Sequence, residues 1–187
     1  LPWSKGQIAL RARATYLVRS IGDKWPDLSD EALGARDPVW LAAVLLGKTR
    51  LAEVTAEDLD AALAELVPYA RRAEIDRLLP SHFHAPSGST VPIDYEAENG
   101  PALAIRVQEL FGLDMHPAVA GGKVPLLVIL LSPAHRPIQT TRDLPGFWRG
   151  SWKDVAKDLK GRSPRHKGPD DPLAAEATRR AKPRGTR

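Results

Sequence analysis

A helical period runs through this sequence as far as Pro80 and stops there. Apolar residues recurring every three to four positions mark one face of a helix, whereas short β-branched runs between turn residues mark strands. A chain that changes from one pattern to the other at a proline reads as α+β, with its helices gathered before its strands. On the helical side, Ser4 and Gln7 have the spacing of a capping box. Leu10, Ala14, Leu17, Val18 and Ile21 follow on one face as far as Gly22, which leaves Arg11 and Arg19 for another. Ser29 starts a short acidic turn. Asp37 and Pro38 suit the N-cap and first position of an apolar helix over residues 39–46, closed by Gly47. Thr55 with Asp58 caps a third helix, whose stripe is Leu59, Leu63, Leu66 and Val67, and a fourth covers residues 69–79.

After Pro80, residues 82–85 and 90–95 read as strands of a hairpin joined by Pro86-Ser87-Gly88-Ser89, which has turn chemistry. Pro101 predicts the start of a helix that carries Leu103, Val107, Leu110 and Phe111 on one side and ends at Gly112. Residues 118–120, the Gly121-Gly122 turn, residues 124–131 and residues 137–141 supply further strands, with Pro125 at a strand start or on an edge. Short antiparallel strands interrupted by one helix predict a small, partly open, OB-like barrel. A long helix is then expected from Asp143, its N-cap, with Pro145 near N1, to about Lys160. The predicted organisation is a helical auxiliary subdomain over residues 1–80, a β/α domain over 81–162 and a basic extended tail over 163–187, where prolines are frequent and large apolar side chains few.

Charge separates along the same divisions. Residues 1–80 carry a net charge of −1, residues 81–141 of −2 and residues 142–187 of +7. All the excess lies at the C-terminal end, and on the last helix there Trp148, Trp152, Val155 and Leu159 fall within roughly 60° of one another while Arg149, Lys153, Lys157 and Lys160 lie about 130° away. One face docks and its neighbour is positive, with Asp154 and Asp158 on a third stripe. Such a basic end suits a phosphate backbone as partner, and an anionic membrane or an acidic protein equally well. Apolar runs are too short to cross a bilayer. Cysteine is absent, which excludes disulfides, thiolate zinc sites and a cysteine nucleophile and fits a cytoplasmic protein. The start at Leu1 reads as a piece of something longer or a processed product.

Constellations that carry chemistry are few. Gly47-Lys48-Thr49 has the tail of a phosphate-binding loop, but Ala42 stands where that loop needs glycine, so Gly47 reads as a helix end. His82 and His84 share one side of a strand without an evident third ligand; only an unforeseen approach of Asp114 or His116 would complete a metal site. Ser132 and His135 lack a nucleophile elbow and an acid partner. Asp94, Glu96 and Glu98 read as a solvated acidic turn beside Asn99-Gly100. Trp148 and Trp152 could stack bases, yet their alignment with Val155 and Leu159 places them in a core. No catalytic, metal or cofactor residue emerges. The basic stripe remains, with Arg142, Arg149, Lys153, Lys157, Lys160, Arg162 and Arg165 as candidate phosphate contacts; a solvated helix face fits composition equally well.

The residues also carry a resemblance. Leu1-Pro2-Trp3-Ser4-Lys5, Leu10-Arg11-Ala12-Arg13, Leu79-Pro80-Ser81-His82-Phe83 and Pro86-Ser87-Gly88-Ser89 are the first signs. More specific are Val107-Gln108-Glu109-Leu110-Phe111-Gly112, Gly122-Lys123-Val124-Pro125-Leu126, Leu131-Ser132-Pro133-Ala134 with Arg136-Pro137, Thr141-Arg142-Asp143-Leu144 and Phe147-Trp148. In order and spacing, with Lys157-Asp158-Leu159-Lys160-Gly161-Arg162, Pro164-Arg165-His166 and Asp171-Pro172-Leu173, the chain resembles the C-terminal region of the bacterial DExH-box ATP-dependent helicase family HrpB. The resemblance covers essentially the whole chain and is strongest from residue 79 onward. It implies the auxiliary end of a helicase, whose ATP and Mg would be held by motor domains preceding this region and whose motor motifs are absent here. It implies RNA or another single-stranded nucleic acid and the helicase core domains as partners. A structural module that packs on that core without touching nucleic acid is the alternative.

Overall fold

The computed structural model describes residues 1–22, 24–36, 39–162 and 168–180. The chain forms two compact units, Leu1–Leu79 and Pro80–Arg187. The first is helical throughout: α1 (Lys5–Ile21), α2 (Asp30–Ala35), α3 (Val39–Leu45), a 3-10 turn (Leu51–Glu53), α4 (Ala56–Leu66) and α5 (Tyr69–Leu78). Its caps follow from local chemistry. Ser4 and Gln7 exchange their side-chain bonds at the start of α1, Thr55 and Asp58 do so at α4, and the Ser29 hydroxyl receives the Ala32 N–H at α2. Each supplies an acceptor to N–H groups that have no partner within their own helix. Gly22, at φ +119°, ends α1 by donating to the carbonyls of Leu17 and Val18. Asp37 and Pro38, expected to open α3, lie outside the described residues.

Leu10, Ala14 and Leu17 of α1 are buried as the periodicity predicts, along with Leu59 and Leu63 of α4 and Ile75 of α5. Two polar residues that the apolar stripe does not announce are buried beside them. Arg13 sends its guanidinium to Asp76 (2.8 Å) and to the Leu79 carbonyl (3.0 Å), tying α1 to the end of α5. Gln7 uses its amide nitrogen on the Ala56 carbonyl (2.7 Å) and Asp60 (2.6 Å) while its oxygen accepts from Ser4 N–H (2.8 Å). One side chain thus closes the α1 cap and joins α1 to α4. Because a buried carbonyl left without its donor loses more than the bond was worth, Gln7→Ala should destabilise the first unit by about 1–3 kcal/mol in urea denaturation. The exposed Gln residue of an ordinary helix face would lose a few tenths.

The second unit opens with the expected hairpin, β1 (His82–His84) antiparallel to β2 (Thr90–Pro92). Ser87-Gly88 turn it, with Gly88 at φ +85°. There follow β3 (Ala102–Arg106), a 3-10 turn (Val107–Leu110), β4 (Ala118–Val119), β5 (Val124–Pro125), β6 (Leu127–Leu131), β7 (Pro137–Thr141), α6 (Leu144–Arg149) and α7 (Trp152–Arg162). Three departures from the sequence reading matter. Pro101 begins no helix: residues 102–106 pair as a parallel strand with residues 127–131. A run of four apolar residues before Arg106 has no decisive period of its own, so the long-range ladder settles it. The main sheet is accordingly mixed, in the order β3-β6-β7, with β6 and β7 antiparallel and a register shift at Leu130/Leu131. The described strands form this sheet and two separate pairs, β1-β2 and β4-β5, rather than an antiparallel OB-like barrel.

The long C-terminal helix is two helices. Asp143 caps α6 and Pro145 stands in its first turn as expected, but the Gly150 N–H closes α6 on the Gly146 carbonyl and the Ser151 carbonyl starts α7 by accepting from Val155. Glycine at position 150 weakens helix continuation by about 1 kcal/mol relative to alanine.

Residues 168–180 hold neither helix nor strand, yet they do not hang free. Pro169 accepts from the Trp152 indole (3.0 Å), Pro172 from the Gly112 N–H (2.9 Å), and Thr178 N–H donates to the Gln108 carbonyl (3.2 Å). Arg179 then reaches the hairpin turn, donating to the carbonyls of Ser87 (3.2 Å) and Gly88. This strap runs from α7 across the 3-10 turn to the β1-β2 hairpin. The described part of the segment expected as an extended tail is thus tied down by hydrogen bonds.

Candidate nucleic-acid interface

Four aromatic rings set the orientation of α7. Phe111, Phe147, Trp148 and Trp152 pack edge-on or tilted with centroids 5.3–6.3 Å apart, the geometry that places a ring edge against a neighbour's π face. Both indoles are buried and both donate, Trp148 to the Leu113 carbonyl (2.9 Å) and Trp152 to that of Pro169. Their faces and N–H groups are spent inside the unit, so base stacking by either is excluded. The core reading of these residues holds.

With Trp152 fixed inward, helical geometry turns Lys153, Lys157 and Lys160 outward. The three are exposed, spaced i, i+4, i+7 on one stripe. Among the described residues none of them forms an ion pair within 4 Å. Val155 and Leu159 are half-buried on the inward side. Arg162, also exposed, ends the helix. Arg149 is exposed on α6, so the break at Gly150 removes it from the lysine stripe that a continuous helix would have given. Arg142 lies before α6 and donates to the Asn99 carbonyl, which holds its side chain over the acidic turn. Arg165 lies outside the described residues. Lys153, Lys157, Lys160 and Arg162 therefore share α7, while Arg142 and Arg149 come from neighbouring segments.

The other candidate constellations find structural employment. Gly47, at φ +76°, lets Lys48 N–H return to the Leu45 carbonyl (2.9 Å), and Lys48 pairs with Asp58 (3.2 Å). His116 is held at both nitrogens. Leu144 N–H can only donate, so Nδ1 accepts from it (3.0 Å) and Nε2 carries the proton donated to the Leu126 carbonyl (2.7 Å). This imidazole joins the first peptide of α6 to the strand region. Ser132 and His135 form a tight turn, in which Ser132 Oγ accepts from Arg136 N–H (3.2 Å) and its carbonyl from His135 N–H (2.8 Å). His82 Nδ1 lies 2.8 Å from the Ser81 hydroxyl.

Glu109 was not singled out by sequence. Its carboxylate, 6% exposed, accepts from Ser87 Oγ (3.0 Å), Ser89 Oγ and Arg106 Nε (3.2 Å). Burial pushes this carboxyl up, but the hydroxyls of Ser89 and Ser87 and the Arg106 guanidinium outweigh it and hold it below its ordinary value. It anchors the turn of the hairpin to the 3-10 segment. The only sequence signal was the pair of serines in a turn that also needs Gly88.

The profile of one family, HrpB_C or ATP-dependent helicase C-terminal, matches residues 40–172. The chain is 40% identical over 183 residues to the ATP-dependent RNA helicase HrpB of Escherichia coli (strain K12), an alignment that takes in 97% of this chain and 23% of that protein. The crystal structure of the E. coli DExH-box NTPase HrpB superposes with a TM-score of 0.83 at 40% identity, over 96% of this chain and 22% of that one. That of the Escherichia coli DEAH/RHA helicase HrpB gives 0.69 at 38% identity, over 89% and 21%. The chain spans less than a quarter of the length of these relatives. No helix among the described residues is long and apolar enough to cross a membrane. The chain belongs to the family of HrpB ATP-dependent helicase C-terminal regions.

Proposed function

We propose that this chain is an auxiliary C-terminal region of an HrpB-type helicase of the cytoplasm and holds single-stranded nucleic acid, RNA above all, while ATP and Mg are bound and turned over in motor domains elsewhere in the polypeptide. The observation that carries the reading is the lysine stripe. Lys153, Lys157 and Lys160 face solvent from a helix whose opposite side is locked by Trp152, so their charges have a fixed spacing. Consecutive turns of an α-helix advance 5.4 Å, close to the separation of successive phosphates along an extended strand. Arg162, exposed at the end of the same helix, and Arg142 and Arg149 before it are further candidate cations; Arg165 is a candidate from the sequence alone. The relatives named for RNA helicase or NTPase activity support the substrate class.

Contacts of this kind bind phosphate and carry no sequence information. Fluorescence anisotropy of a labelled single-stranded RNA, titrated across salt, should give log K falling against log salt with a slope of about −0.7 for each phosphate contacted. Reversing two charges in Lys153→Glu/Lys157→Glu should weaken binding at least 10-fold at low salt and make the slope shallower by about 1.4. The melting temperature should stay within a degree or two, because both side chains are exposed. Unchanged affinity in the double variant would remove these lysines from the interface; no binding by the parent chain at low salt would leave the module a packing element of the helicase.

A further inference from the structure

The helix α3 is apolar all the way round. The run from position 39 to position 46 reads Val-Trp-Leu-Ala-Ala-Val-Leu-Leu, without one polar side chain. A helix built so is expected to be covered on every side, since an ordinary surface helix keeps its polar residues for water. Among the described residues, the packing contacts of α3 lie on one side. Trp40, Leu41 and Leu45 pack against the cluster of Val44, Val54, Leu59 and Ala62, and the Trp40 indole donates to the Leu33 carbonyl (3.3 Å).

The opposite side faces water. Val39 is 69% and Leu46 83% exposed, Ala42 and Ala43 are exposed between them, and Leu51 in the following 3-10 turn is 62% exposed. Positions 39, 42, 43 and 46 have the i, i+3, i+4, i+7 spacing of a single helical face. Exposed arginines, Arg36 and Arg50, stand before and after it in the chain. An apolar centre with charge at its edges has the anatomy of an interface. The first unit also holds seven of the nine large apolar residues that stand exposed among the described residues.

The size of the face decides what covers it. A seven-residue helix is about 10 Å long and about 10 Å across, so in plan it offers on the order of 100–200 Å². A free partner needs roughly 800 Å² per side for a stable complex. A neighbour in the same polypeptide needs far less from any one face, because the tether supplies a high local concentration. The relative that this chain matches over 97% of its length keeps 77% of its own length outside the match, which is ample body to lie against α3. We infer that the outer face of α3 is the seat of another domain of an HrpB-type polypeptide, one presenting an apolar surface with charges of both signs at its rim, as Arg36, Arg50 and Glu53 are here. The inference rests on the chain's place in such a polypeptide and is independent of the lysine stripe.

Absence of cysteine makes the test direct. Ala43→Cys, a small change at an exposed site, places one thiol on the face. Its maleimide labelling, read by peptide mass spectrometry and normalised to the denatured state, is compared in the 187-residue chain and in a chimera where this chain replaces the matching region of the E. coli helicase. Labelling should be fast in the free chain and at least 10-fold slower in the chimera. In parallel, Leu46→Glu/Leu51→Glu should leave the melting temperature of the free chain unchanged and lower that of the chimera by several degrees. Equal labelling and equal melting would overturn the inference. So would slow labelling in the free chain: if it deepens with concentration, a second copy occupies the face, and if not, the chain covers the face itself. RNA titration of the same chimera reports on the lysine stripe alone, so the two readings fail separately.

Discussion

Trp152→Ala is expected to cost the second unit about 4 kcal/mol, the middle of the range for truncating a buried aromatic residue. The side chain is 2% exposed and meets Phe111 (5.4 Å), Trp148 (5.6 Å) and Phe147 (6.3 Å) ring against ring. Its removal opens a cavity that three rigid neighbours cannot close, and it also strips the Pro169 carbonyl of its donor. Domains of this size are stable by roughly 5–15 kcal/mol, so the loss is a large fraction of the margin. Urea denaturation followed by near-UV circular dichroism would measure it. Trp152→Phe keeps a ring in the cluster and deletes the indole N–H; it should cost about 1–2 kcal/mol and loosen the strap at Pro169, seen as faster hydrogen exchange over residues 168–180. RNA affinity should fall in Trp152→Ala only in step with unfolding, whereas it falls in the lysine variants without unfolding. Affinity lost in a folded Trp152→Phe protein would mean that the indole touches nucleic acid after all. Its burial argues against that.

Features governed by neighbours in sequence were legible, and those governed by distant pairing were not. The capping boxes of Ser4 and Thr55, the Asp143 cap and the Ser87-Gly88 turn each depend on groups within three residues, so their residue types announce them. The parallel strand at residues 102–106 depends on residues 127–131, and no local period distinguishes it from a helix. The break at Gly150 had a local signal. Tryptophans four residues apart suggested one continuous stripe, and in the fold they serve one cluster from two helices. Low hydrophobicity made residues 168–180 look like tail, but what holds them is backbone hydrogen bonding to Gln108 and Gly112 and the Arg179 guanidinium on two carbonyls. Backbone groups carry no residue signature. The lysines of α7 were found because charge repeats with the helix, and Glu109 was missed because its serine partners lie 20 and 22 residues away.

Glu109 carries the second large effect and gives the second unit an acid-sensitive joint. Glu109→Ala should destabilise it by about 3 kcal/mol, since breaking a buried charge pair leaves the partner and two hydroxyls without their acceptor. The sign of the pH effect follows from the lowered carboxyl. The folded state binds the Glu109 proton less readily than the unfolded chain, whose value is about 4.3. The carboxylate's contribution is therefore complete above that pH and is lost as pH falls through the lower folded value. Among the described residues the other carboxyls held below their ordinary values, Asp27, Asp30, Glu53 and Asp58, all belong to the first unit. Their contributions cancel when the stability of Glu109→Gln is subtracted from that of the parent at each pH. The difference should be flat from pH 8 to pH 6 and shrink between about pH 5 and pH 3, because protonation makes the parent resemble the variant. A difference that stays constant to pH 3 would show that folding does not lower the proton affinity of this carboxyl. Loss of this anchor frees the hairpin turn that Arg179 also grips, so acid should release the strap from the hairpin before it disturbs the aromatic cluster, in which no titratable side chain takes part.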